Sequence, residues 1–298
     1  MEFHKITTES LKKILPYFVF QRNQICDYTS LGLYMWIDYF GYEYSCDDKV
    51  LFLRETKNSS NTIKYMLPLS RSGEFISHIA KLLEFCKQEI QLPLILNAVP
   101  EKYLDTLAQH FKIEKSFNRD WSDYVYNVSD LAKLSGKKFA KKRNLIHQFC
   151  SYYRYRISPL TLDLVPDLVY FVKKQQCQTD NYLENYENSQ TIKVLENLSV
   201  FNLQGIVIYI DSEIAGFAIG EIQDDTLFVH IEKANREFRG IYQALNWIMI
   251  NELLKVKSFL YVNREEDVGN EGLRKAKLSY YPSEIINKFE VTIYDTNK

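Results

Sequence analysis

No stretch of this sequence of 298 residues approaches the ~18 consecutive apolar residues that a membrane helix requires. The opening residues, MEFHKITTES, carry no apolar core behind a basic start, so no secretory leader is expected and the chain reads as cytoplasmic. Net charge is also lacking: 37 Lys and Arg against 38 Asp and Glu leave a formal charge of -1. Any attraction to a polyanion must then come from a local patch. Five cysteines (Cys26, Cys46, Cys86, Cys150, Cys177) form no CxxC pair, which fits neither a disulfide framework nor a zinc site. The five histidines (His4, His78, His110, His147, His230) show no i, i+4 pair and no cysteine neighbour, so no metal site is expected; His230 reads as a satisfied core residue. The GxSxG, GxxxxGK[ST] and GxGxxG patterns are missing, which removes the usual marks of a serine hydrolase, a P-loop enzyme and a Rossmann domain. There is no repeat of fixed short period and no Gly/Ser linker.

What the chain does hold is the makings of packed cores, with 46% apolar and 14% aromatic residues. Its length suggests two domains, placed at residues 1–128 and 129–298. In the first, the spacing predicts a helix from Thr8 to Arg22 with a kink at Pro16. Strands follow at Val50–Arg54 and Ile63–Leu69, a helix at Glu74–Glu89 and a buried strand at Pro93–Asn97. A short helix at Glu101–His110 and strands at Phe111–Lys115 and Asp123–Val128 complete it. The second domain repeats this grammar: helix Val165–Gln176, hairpin Ile206–Ile210 with Ile214–Glu221, strand Thr226–Glu232, helix Gly240–Leu254, strand Phe259–Val262, a helix from Gly272 and strands within Glu284–Tyr294. Periodicity alone gives only an α/β or α+β class.

Three polar or basic clusters fall at strand-to-helix junctions. The turn Asn235–Gln243 opens a long helix, whose free N–H groups and positive dipole end suit an anion. Gly240 would let a phosphate approach, and Arg236 and Arg239 would add charged hydrogen bonds. The plainer reading is a tight turn with solvated arginines. Directly after strand Phe259–Val262 come Asn263, Glu265, Glu266 and Asp267, then Arg274, Lys275 and Lys277 on the next helix and Tyr280 beyond it. Loops at carboxyl ends of strands are where open sheets place their chemistry. A carboxylate there would orient or deprotonate a nucleophile, with basic groups balancing negative charge; the alternative is a helix capped by Asp267 or Asn270. The third cluster, Lys137, Lys138, Lys141, Lys142 and Arg143, is a basic helix face with no offsetting acid.

The order of three antiparallel strands, helix, strand and helix resembles a GNAT domain. The 235–243 turn is similar to the one by which such enzymes hold the pyrophosphate of acyl-CoA. Gly240 fits its first glycine, while Glu237 stands where the pattern has Gln or Arg and Tyr242 where it has Gly or Ala. Residues 263–282, an acidic pair, Asp, Gly, Gly-Leu-Arg, a basic residue and Pro, resemble the C-terminal domain of bacterial phosphatidylglycerol lysyltransferases and an uncharacterised family related to it. Cys26-Asp27-Tyr28 with Trp36 fits that family too, as packing residues or as the lining of a cleft. The basic helix with Arg143-Asn144 looks like the second GNAT domain of Fem-type transferases, which use aminoacyl-tRNA.

These resemblances imply mixed α/β sheets in two tandem GNAT-like domains. They also imply transfer of an acyl or aminoacyl group from acyl-CoA or aminoacyl-tRNA to an amine or hydroxyl of a small molecule or lipid headgroup. No tightly bound cofactor is expected. Asn263, Glu265, Asp267, Arg274, Lys277 and Tyr280 would surround the reacting centre. Arg236, Arg239, Gly240, Tyr242, Gln243, Lys142, Arg143 and Asn144 would hold the donor. The alternative is a GNAT-fold protein that binds a ligand or RNA without turnover.

Overall fold

The computed structural model describes residues 1–20, 23–58, 62–71, 74–176 and 182–294. Two compact units account for the chain: Met1–Asp123 with Glu266–Glu271 and Ile285–Lys298, and Tyr124–Glu265 with Gly272–Glu284. A single cut between 128 and 129 does not describe this division, because the chain returns to the first unit near its end.

The first unit contains β1 (His4–Lys5), α1 (Thr8–Ile14), α2 (Ser30–Phe40), β2 (Tyr42–Cys46), β3 (Val50–Glu55), β4 (Lys64–Tyr65) and β5 (Leu69–Ser70). Then follow α3 (Phe75–Phe85), β6 (Leu94–Pro100), α4 (Leu104–His110) and β7 (Lys112–Phe117). The capping box of Thr7 and Ser10 starts α1, and it tightens into a 3-10 helix over Leu15–Phe20, around the helix-breaking Pro16. The helix expected to reach Arg22 is therefore shorter, and Arg22 lies outside the described residues. The strand expected over Ile63–Leu69 is two short ones, β4 and β5, both on β3.

The second unit runs from β8 (Asp123–Asn127) through α5 (Val128–Lys133), α6 (Ala140–Tyr152), β9 (Tyr155–Pro159), α7 (Val165–Gln176) and α8 (Tyr182–Glu196). It continues with β10 (Leu203–Ile210), β11 (Glu213–Gln223), β12 (Thr226–Ala234), α9 (Ile241–Leu254), β13 (Tyr261–Asn263) and α10 (Glu271–Leu278). The last strands are β14 (Glu284–Ile286), in the sheet of the second unit, and β15 (Lys288–Tyr294), in that of the first. An unbroken buried run on β11 requires cover on both faces of the sheet. Phe171 of α7 meets Phe217, while Met249 of α9 sits over Gly220.

Each unit shows three antiparallel strands, a helix, and a strand parallel to the third: β2-β3-β4, α3, β6 in the first, and β10-β11-β12, α9, β13 in the second. This is the tandem GNAT-like, mixed α/β layout expected from the sequence. The sheet orders are β1-β2-β3-β4-β6-β15-β7, with β5 on β3, and β14-β8-β13-β12-β11-β10-β9.

Candidate functional site

The parallel strands of the second unit stay together only briefly. Thr226–Phe228 of β12 pair with Tyr261–Asn263 of β13, after which β12 runs on to Ala234 while the other chain turns away. The turn is built by Asn263, fully buried, whose Oδ1 accepts from the Glu265 backbone N at 2.6 Å. Glu265 takes a left-handed φ of 57°, which a side chain adopts at a cost. Beside this opening, β12 carries a β-bulge against β11: Ile219 faces Ile231 and Gly220 faces Val229, leaving His230 as the extra residue.

Three ion pairs fill the opening. Arg264 Nη2 lies 2.6 Å from Glu232 Oε2, and Asn246 of α9 reaches Glu232 Oε1 at 3.5 Å. His230, with no side-chain exposure, places Nδ1 2.6 Å from Glu265 Oε1 and Nε2 3.1 Å from Glu221 Oε1. Burial pulls its pKa down, but hydrogen bonds and charge from the two carboxylates outweigh that and hold it at about 10. The ring is an imidazolium at neutral pH, donating through both nitrogens.

Next to Arg264 is the buried ring of Tyr280, 5.1 Å from the Arg264 Cζ and 4.0 Å from the Lys142 Nζ of α6. Lys277 Nζ donates to the Arg264 carbonyl at 2.5 Å, and Tyr126 OH donates to the Lys277 carbonyl at 2.9 Å. Burial, then the charges of Arg264 and Lys141, lower the Lys142 ammonium to about 8. Burial raises Tyr280 to about 12, so it stays a phenol and a hydrogen-bond donor. The arrangement sets a permanent cation, a protonated phenol and an amine that ionises near neutrality around one ring.

A family model described as phosphatidylglycerol lysyltransferase, C-terminal, matches residues 20–292. The chain belongs to this family. A crystal structure of a conserved protein of unknown function from Bacteroides thetaiotaomicron is 28% identical, covers 99% of this chain and 100% of that one, and superposes with a TM-score of 0.86. The structure of L-PGS from Bacillus licheniformis shares the fold at 15% identity, with a TM-score of 0.65 over 99% of this chain and 94% of that one. FemX does so at 10% identity and 0.62, over 97% of each chain. An uncharacterised protein of Mycoplasmoides gallisepticum is 24% identical over 179 residues; the match spans 58% of this chain and 56% of the length of that relative. The family description names a transferase of the aminoacyl type. Among the described residues no helix is long and apolar enough to cross a membrane.

Of the residues that the sequence nominates, this family member brings together Asn263, Glu265, Lys277, Tyr280 and Lys142. Asp267 is elsewhere. It belongs to the first unit, where its buried carboxylate lies 3.8 Å from Arg119 Nη1 and accepts from the Gly269 backbone N at 3.0 Å. The acids at 265–267 thus point into the protein rather than line an open loop. Arg274 sits half-buried on α10.

At the start of α9, Arg236 and Arg239 are exposed, and the Arg239 backbone N donates to Tyr153 OH at 3.2 Å. Gly240 has a φ of 85°, and a Cβ there would lie 2.4 Å from the Leu145 carbonyl oxygen of α6. Its freedom serves the close approach of two helices. Tyr242 OH donates to the Ala234 carbonyl at 3.4 Å, and Gln243 is half-buried behind it. Arg143 donates through Nη1 to the carbonyls of Leu134 and Gly136, the latter at 2.7 Å, closing the end of α5; Asn144 is exposed. Sequence reasoning missed Arg264, Glu232 and the role of His230. An arginine between Asn263 and Glu265 was in view, but a bulge carries no pattern that sets His230 between two acids.

The first unit holds a second charged group. Lys288 Nζ lies 2.5 Å from Asp27 and 2.8 Å from Asp123, and it also pairs with Glu266. Cys26 completes the set: its backbone N donates to Asp123 at 2.8 Å, and its Sγ lies 3.3 Å from Glu266. Donor atoms of Cys26, Asp27, Asp123 and Glu266 fall within 4.8 Å of one another, the spacing of a cation site, and here the cation they face is the Lys288 ammonium. Burial raises the Cys26 thiol far above its ordinary range, so it is protonated and inert. Burial also lifts Asp27, against the pull of Lys288, to about 6. The cluster ties four chain segments, which accords with Cys26-Asp27-Tyr28 as packing residues.

Proposed function

We propose that the second unit transfers an aminoacyl group from an aminoacyl ester, such as aminoacyl-tRNA, to an amine or hydroxyl acceptor. The observation that carries this reading is the grouping of Lys142, Tyr280 and Arg264. The acceptor attacks the ester carbonyl carbon, forming the new C–N or C–O bond. Its proton passes to neutral Lys142, while Arg264 and the Tyr280 hydroxyl stabilise the developing oxyanion. The ester C–O bond then breaks, and Lys142 returns the proton to the leaving hydroxyl. An amine with a pKa of about 8 has a working fraction in each form near neutral pH.

The α9 turn favours an ester over acyl-CoA. The Cβ side of Gly240 is closed by the Leu145 carbonyl oxygen, leaving a phosphate no room there, and Glu237 adds a carboxylate. Lys137, Lys138 and Lys141 lie exposed beside Lys142, where a polyanionic donor would be drawn. The acceptor that the family name suggests is phosphatidylglycerol. A second reading, binding without turnover, draws on the same closed turn.

The test is radiolabelled lysyl-tRNA with phosphatidylglycerol vesicles. Labelled lipid formed by the wild type, with kcat falling roughly 100-fold or more in Lys142→Met at little change in KM, supports the reading. The wild-type kcat should rise with pH through about 8 and level off, as Lys142 loses its proton. Donor binding with no labelled product would favour the non-catalytic reading.

A further inference from the structure

We propose that His230 is a positioning residue: by bridging Glu221 and Glu265 it fixes the turn at 263–265, and with it the place of Arg264 beside Tyr280 and Lys142. The inference rests on the reading of that grouping as the reacting centre.

The guanidinium is not held by its own bonds alone. Its Nε is buried and makes no hydrogen bond, while Nη2 meets Glu232 and the guanidinium also bonds to the Tyr280 side chain. With Nε unbonded, its place depends also on the backbone that presents it. That backbone is strained, because Glu265 stands at a φ of 57°. A left-handed side-chain residue persists only where its surroundings over-determine it. The restraints here are the bond from Glu265 N to Asn263 Oδ1, the Lys277 ammonium on the Arg264 carbonyl, the backbone bonds with Tyr124, and the Glu265 side chain on His230.

Tyr124 ties the turn to β8 on one side of β13, and the bond to His230 ties it to β12 and, through Glu221, to β11 on the other. His230 can reach Glu265 because the bulge makes it the unpaired residue of β12, which turns its ring toward the opening rather than along the ladder. Glu221, on β11, fixes the other ring nitrogen and so the orientation of the ring. A buried triad of two carboxylates and an imidazolium is a costly way to fill a core, and an apolar side chain would pack more cheaply. Orientation of Arg264 is what the apolar residue could not supply.

The test reads Arg264 directly. Phenylglyoxal modification of the intact protein, followed by peptide mass spectrometry, gives a rate for each arginine. Arg156, stacked on Tyr209 at 4.0 Å on β9, serves as the reference. In His230→Gln, and to a smaller extent in Glu265→Gln, the Arg264 rate should rise roughly tenfold while that of Arg156 holds. Unchanged Arg264 rates overturn the proposal. So does a parallel rise at Arg156, which would make His230 a part of general stability. With lysyl-tRNA and phosphatidylglycerol vesicles, both variants should lose kcat and keep KM for the tRNA. If the wild type transfers nothing but the modification rates behave as expected, the transferase reading fails and the positioning stands.

Discussion

At Gly240 a single methyl group is enough to disturb the second unit. The residue needs a φ of 85° and space within 2.4 Å of the Leu145 carbonyl oxygen. Gly240→Ala meets both obstacles and should cost about 3 kcal/mol, which thermal unfolding would register as a Tm lower by roughly 6–12 °C. A glycine with open space beside it would meet only the first obstacle and lose about 1–2 kcal/mol on the change to alanine. The same close approach makes substitutions of Gly240 unsuited to separating binding from folding, whereas the exposed Arg239 side chain can be changed cleanly.

Among elements, α6 shows two uses of one basic run. Lys142 faces Tyr280, while Arg143, the next residue, turns back to the carbonyls of Leu134 and Gly136 and ties down the end of α5. Arg143→Met should therefore lower Tm by a few degrees, a loss of about 1–2 kcal/mol, and leave affinity for tRNA nearly unchanged. In a filter-binding assay, Lys138→Glu should weaken that affinity, since Lys138 is exposed over Phe139 and Tyr281. Elements with a regular apolar stripe were legible in the sequence: α7 runs from Val165 to Gln176 as its spacing predicts, and the β10–β11 hairpin turns where expected. The helix α8 was not, because it buries Asn188, Gln190 and Thr191 where a stripe would show leucines. The candidate site was legible in part. Tyr280 and Lys277 stand in a motif, and Lys142 in a charge run, but their meeting with Arg264 depends on strands that part after three pairs and on a bulge.

Over the whole molecule, the two sheets follow one plan with their strands drawn from different parts of the chain. In the first, β15 lies between β6 and β7; in the second, β8 lies beside β13. The repeat is one of topology, which explains why no short period marks it in the sequence. A chain ending at residue 284 would lack β15 and leave β6 and β7 with open edges. Limited proteolysis of that truncated chain should cut rapidly within residues 94–117 while β10–β12 resist. The placement of β15 also sets a timetable for synthesis. Residues 1–123 leave the ribosome well before β15, so their sheet stays split until Lys288–Tyr294 emerge. The sheet of the first unit is therefore completed only after the whole of the second unit has been made.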